Sequence, residues 1–92
     1  MAELKDTWQR HAADLLAGNM AGLMGDFTPA GMAKAMVLAA TPVTATSFEV
    51  KDLGNNEVEI TYIGDVRRRL WSQWQETTPG HWQISDLAER AQ

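Results

Sequence analysis

The sequence predicts an α+β fold, with N-terminal helices packed on one face of a curved four-stranded antiparallel β-meander. Three observations carry this. Between Ala45 and Ala88 the large apolar residues Phe48, Val50, Val58, Ile60, Tyr62, Leu70, Trp74, Trp82 and Ile84 all fall at even positions. Strand side chains alternate between faces, so one shared parity gives one continuous apolar sheet face. Glycine-bearing turns punctuate the run at Leu53-Gly54-Asn55, Gly64-Asp65-Val66 and Thr78-Pro79-Gly80, each Gly serving a positive-φ position. Ahead of the strands, apolar residues recur at three- and four-residue steps, the pattern of helices able to cover that face. The whole of 1–92 reads as a single domain.

Leu4 to Ala17 forms the first predicted helix. Leu4, Trp8, His11, Leu15 and Ala12 or Leu16 make its apolar stripe, while Lys5, Asp6, Gln9, Arg10 and Asp14 occupy much of the remaining circumference. Gly18-Asn19 stops it, since both residues tolerate positive φ. Asn19 then caps a short helix, 19–24, which Gly25-Asp26-Phe27 breaks. Thr28-Pro29 starts a third helix at about 29–40, a capping hydroxyl followed by a residue with no N–H to satisfy. Met32, Ala33, Met36, Val37 and Ala40 mark its expected apolar face, and the Ala/Met composition suits close packing on the sheet. Gly31 weakens this helix by about 1 kcal/mol relative to Ala.

The strands are expected at about 46–52, 56–63, 67–77 and 81–88, with Ala88 to Gln92 fraying. Three-residue loops pair Asp52 with Asn56, Ile63 with Arg67 and Thr77 with His81. Val50 then faces Val58, Ile60 faces Leu70, and Trp74 faces Ile84. A two-residue Gly64-Asp65 loop is the alternative. It would set Ile60 opposite Arg69 and turn Arg67, Arg69 and Trp71 to the core, so the buried face favours the three-residue loop.

Composition bounds the function. A net charge of −4 and a pI near 4.9 speak against general nucleic-acid binding, and alternation splits Arg67-Arg68-Arg69 between two faces. The absence of Cys removes disulfides, thiolate metal sites and Cys nucleophiles together. Two His residues far apart in sequence, with no short-spaced ligand motif, give no expectation of a metal, and no cofactor motif is present. No apolar stretch approaches the roughly 20 residues of a membrane span, and Met1 to Arg10 lacks a signal-peptide pattern. The expectation is a soluble, cytoplasmic protein with no membrane or nucleic-acid partner.

Two stretches resemble the NTF2-like and cystatin-like superfamily. Trp8 to Leu16 followed by Gly18-Asn19-Met20-Ala21-Gly22-Leu23-Met24-Gly25-Asp26-Phe27 is similar to its opening, where a long helix meets a "GD-hydrophobic" turn, a short second helix and an acidic residue. Gly80-His81-Trp82-Gln83-Ile84-Ser85-Asp86-Leu87 resembles its closing strand. The resemblance implies a short SnoaL-like α+β roll, its usual strand pair between the second and third helices reduced to the Asp26–Thr28 region or lost. It also implies a pocket between helices and inner sheet face, where Asp, His or Tyr groups do acid–base work in related enzymes.

The residues able to point inward are His11, Asp14, Tyr62, Arg68 and Asp86. The expected ligand pocket comprises His11, Tyr62, Arg68 and Asp86, and any acid–base chemistry falls to His11, Tyr62 or Asp86. On the outer face Arg67, Arg69, Trp71, Gln73 and Glu59 form an expected interface, since a Trp among Arg neighbours has the make-up of a contact surface. The resemblance adds that such domains dimerise there. The first functional expectation is therefore a non-catalytic binding or homodimerisation module. The second is a small isomerase, cyclase or dehydratase acting on a hydrophobic small molecule.

Overall fold

The computed structural model of the chain describes residues 3–90. Three helices, α1 (Leu4–Ala17), α2 (Met20–Met24) and α3 (Pro29–Leu38), precede four strands. These are β1 (Ser47–Gly54), β2 (Glu57–Ile63), β3 (Arg68–Thr78) and β4 (His81–Arg90), which form one antiparallel sheet in the order β1-β2-β3-β4. The core is the even-numbered sheet face, Val58, Ile60, Tyr62, Leu70, Trp74 and Ile84, closed by Trp8 and Ala12 of α1. Phe48, Val50 and Trp82 pack against it, partly buried. No helix among the described residues is long and apolar enough to cross a membrane.

The helix ends follow the expected chemistry. Gly18 terminates α1 in the left-handed region at φ 72°, and the Asn19 side chain accepts from the Gly22 amide to cap α2. At α3 the Thr28 hydroxyl accepts from the Gly31 amide with Pro29 behind it. The apolar face of α3 differs from expectation. Gly31 is buried and Ala35 and Leu38 are half-buried, whereas Met36 and Val37 are 69% and 74% exposed and Ala33 and Ala40 face solvent. Gly31 sets that rotation. A Cβ there would sit 2.8 Å from the Ile84 carbonyl carbon and closer still to its oxygen, so only Gly lets α3 approach β4. The helix-propensity cost of about 1 kcal/mol secures that contact.

The β2–β3 register is the one expected, with Ile60 opposite Leu70 and Glu59 opposite Trp71. Gly64, however, has no positive φ; a Cβ would collide with the Thr44 carbonyl of the linker, and this close approach is its role. The first hairpin is shifted by two residues. Asn55 and Asn56 both adopt positive φ, 53° and 63°, which makes a two-residue turn. Val50 therefore faces Ile60, and Asp52 faces Val58 rather than Asn56. A shift of two preserves parity, so the core face is unaffected. In the third hairpin Thr78, not Thr77, pairs with His81 around Pro79-Gly80.

Parity is lost within the sheet at the middle of β4. A bulge between Gln73 and Trp74 takes the pairing from Trp74–Ile84 to Gln73–Asp86 and Ser72–Leu87. From there the odd-numbered Leu87 and Glu89 face the core side, and Asp86 turns to the outer side. The strand does not fray at Ala88 but continues to Arg90; Ala91 and Gln92 lie outside the described residues.

Candidate functional site

Gly25-Asp26-Phe27-Thr28, between α2 and α3, is stitched to β4. Ile84 N donates to the Asp26 carbonyl at 2.7 Å, Thr28 N donates to the Ile84 carbonyl at 3.0 Å, and Phe27 makes one parallel bridge with Ile84. The effect is to fix the Asp26 side chain under α1, where it is buried at 3% exposure. His11 Nδ1 lies 2.8 Å from Asp26 Oδ2, and Arg10 donates to Asp26 Oδ1 while also holding Asp14 at 2.7 Å. Phe27 and Trp74 close edge-on around the imidazole, with centroids at 5.7 and 5.5 Å.

Burial pushes the Asp26 carboxyl up, but hydrogen bonds from His11 and Arg10 and the positive charge beside it prevail, holding it below the usual carboxylate range. An ionised Asp26 only accepts, so His11 Nδ1 carries the proton it shares with Asp26, and in the Nδ1–H tautomer Nε2 is an acceptor. Burial pushes the Tyr62 phenol up, and the Asp26 charge adds to this, so Tyr62 stays protonated and sits within reach of the carboxylate's field.

Beneath the helices lies a cavity of about 720 Å³. Its floor is Ile60, Tyr62, Leu70, Ser72, Ile84 and Leu87; α1 contributes His11 and Leu15; α2 and α3 contribute four methionines, Met20, Met24, Met32 and Met36. Met20, Met24 and Met36 are each at least 60% exposed, so they form the rim where the cavity meets solvent. Polar side chains are few. Ser72 Oγ donates to the Val58 carbonyl and accepts from Trp74 Nε1, both at 2.9 Å, so it is spent within the core. Neither His11 Nε2 nor Tyr62 Oη has a hydrogen-bond partner among the described residues. No side-chain nitrogen or oxygen among the described residues is at once fully buried and unpartnered, so both atoms reach open space.

Of the expected pocket residues, His11 and Tyr62 line the cavity and Arg68 and Asp86 do not. Arg68 is buried and bonded twice to Glu89, at 2.9 and 2.8 Å, and to the Thr41 carbonyl, clamping the α3–β1 linker to the sheet. Asp86, turned outward by the bulge, is half-exposed with Lys34 Nζ at 3.9 Å. Asp14 serves Arg10 and Asn19. The residue that sequence reasoning passed over is Asp26, quoted only as part of a turn. Met32 and Met36 were expected to pack helix on sheet, whereas both line the cavity together with Met20 and Met24.

On the outer face Arg69 chelates Glu59 at 3.2 and 2.9 Å, Trp71 Nε1 donates to Glu57 at 2.9 Å, and the Arg90 guanidinium lies 5.0 Å over the Trp71 ring. Gln73 donates to the Asn55 carbonyl, and Arg67 pairs with Glu49 at 3.8 Å. The expected interface residues thus share one face and engage partners within the chain. No group of three or more His, Cys, Asp or Glu among the described residues is arranged to hold a metal ion. Comparison with protein-family models, curated proteins and solved structures gave no match.

A carboxyl whose folded pKa is depressed stabilises the fold above its unfolded pKa, about 4, and loses that contribution as pH falls through the folded value. Asp26→Asn is therefore expected to be less stable than the native protein at pH 7, by about 1–3 kcal/mol. The gap should narrow as pH falls below about 4. Urea unfolding followed by tryptophan fluorescence across this range reads both; a gap independent of pH would mean that the Asp26 charge does not secure the turn.

Proposed function

We propose that this domain binds a hydrophobic small molecule between its helices and its sheet. The observation that carries this is the cavity itself, about 720 Å³, lined almost wholly by apolar side chains and opening through a methionine rim. Pockets of some 300–1,000 Å³ with a few placed polar groups are those that take drug-sized ligands. Flexible, polarizable methionine side chains adapt to varied apolar shapes. The layout agrees with the NTF2-like resemblance, which places ligands in the same position.

A second reading, acid–base catalysis on the bound molecule, is favoured by the His11–Asp26 pair. A histidine oriented by a buried carboxylate and facing an apolar cavity is equipped to take and return a proton. An isomerase, cyclase or dehydratase would use it so.

Titration with the uncharged fluorophore N-phenyl-1-naphthylamine tests the first reading. Saturable one-to-one binding is expected, weakened about ten-fold or more in Ala35→Phe, which fills the cavity from α3. Absence of saturable binding to the folded protein would refute it. For the second reading, 2-tetralone in D₂O should exchange its α-protons faster with the protein than with buffer, and His11→Phe should lose that acceleration. Equal rates for native and variant protein would remove the case for catalysis.

A further inference from the structure

The two polar atoms left open in the cavity narrow what it takes. His11 Nε2 belongs to a residue 5% exposed, and Tyr62 Oη to one 2% exposed. The apolar lining offers these two atoms no other side chain to bond, which favours an occupant that completes them. They are different in kind. With Nδ1 committed to Asp26, Nε2 requires a donor, while the protonated Tyr62 hydroxyl offers one. Both residues line the same cavity, and His11 is bonded to Asp26 at its back.

We infer that the ligand is an uncharged apolar molecule carrying a hydroxyl group, which donates to His11 Nε2 and accepts from Tyr62 Oη. A ketone or ether would satisfy Tyr62 and leave His11 bare. A carboxylate would supply no proton to Nε2 and would lie beside ionised Asp26. No lysine or arginine among the described residues lines the cavity to compensate that anion, and Arg10, beside His11 in the chain, is engaged with Asp26 and Asp14. A hydroxyl answers both groups without adding charge. This inference rests on the cavity being a ligand site.

Isothermal titration with 1-naphthol and 1-methoxynaphthalene compares two probes that differ by one methyl on the oxygen. The naphthol is expected to bind about ten-fold tighter, the fold-change of one completed buried hydrogen bond. Tyr62→Phe, which removes only the phenolic oxygen, should lower naphthol affinity several-fold. On naphthol binding the His11 Nε2 resonance should move, and the ether should leave it in place. Equal affinities, or an unmoved Nε2, would overturn the hydroxyl assignment while the cavity reading stood. The same holds if N-phenyl-1-naphthylamine binds and neither naphthalene does. If none of the three binds, the cavity reading fails and this inference with it.

Discussion

A carboxylate taken out of water has to be paired, and in this protein the pairing of Asp26 with His11 and Arg10 joins the two halves of the fold. Asp26 sits in the turn between α2 and α3, and its carbonyl accepts from β4 at Ile84. Its side chain reaches up to α1. One short segment therefore ties the first helix to the last strand, across a separation that no local element bridges. The cavity is a consequence. With α1 fixed by Asp26 and α3 fixed by the glycine contact at Ile84, α2 and the outer turns of α3 span the gap with methionines rather than filling it.

That arrangement also divides the labour of the polar groups. Arg10 is half-exposed and faces Asp26 and Asp14, so its charge stabilises the carboxylate without entering the cavity. His11 relays the carboxylate to the inside as a directed acceptor. At the far edge Arg68 does a structural job of the same type, holding the linker and the end of β4 through Glu89. Two partly buried ionic clusters thus bracket an apolar floor.

The sheet was legible because period-two alternation on a half-buried face is a strong constraint. Val58, Ile60, Tyr62, Leu70, Trp74 and Ile84 are buried as their parity requires. Turn details were less legible. Leu53-Gly54-Asn55 and Asn55-Asn56 are both plausible positive-φ turns, and the choice between them moves the register by two without moving a side chain to the wrong face. The bulge opposite Ser85 carries no local sequence signal, so Asp86 was placed on the wrong side of β4 and the Arg68–Glu89 pair was not foreseen. The inward face of α3 is set by Gly31 meeting a backbone carbonyl 53 positions later in the chain, a tertiary fact invisible to helical periodicity. His11 stood out because it interrupts an apolar stripe. Its partner did not, because an Asp after Gly in a turn is ordinary turn chemistry.

The account turns on His11 presenting a bare Nε2 to the cavity because ionised Asp26 holds Nδ1–H. Nitrogen-15 NMR of the imidazoles at about pH 8, with exposed His81 as an internal reference, observes this directly. The account predicts that His11 is the Nδ1–H tautomer, with an unprotonated Nε2. A His11 found as the Nε2–H tautomer would contradict it, since Nδ1 would then have no proton to give Asp26 and the cavity would present a donor in place of an acceptor.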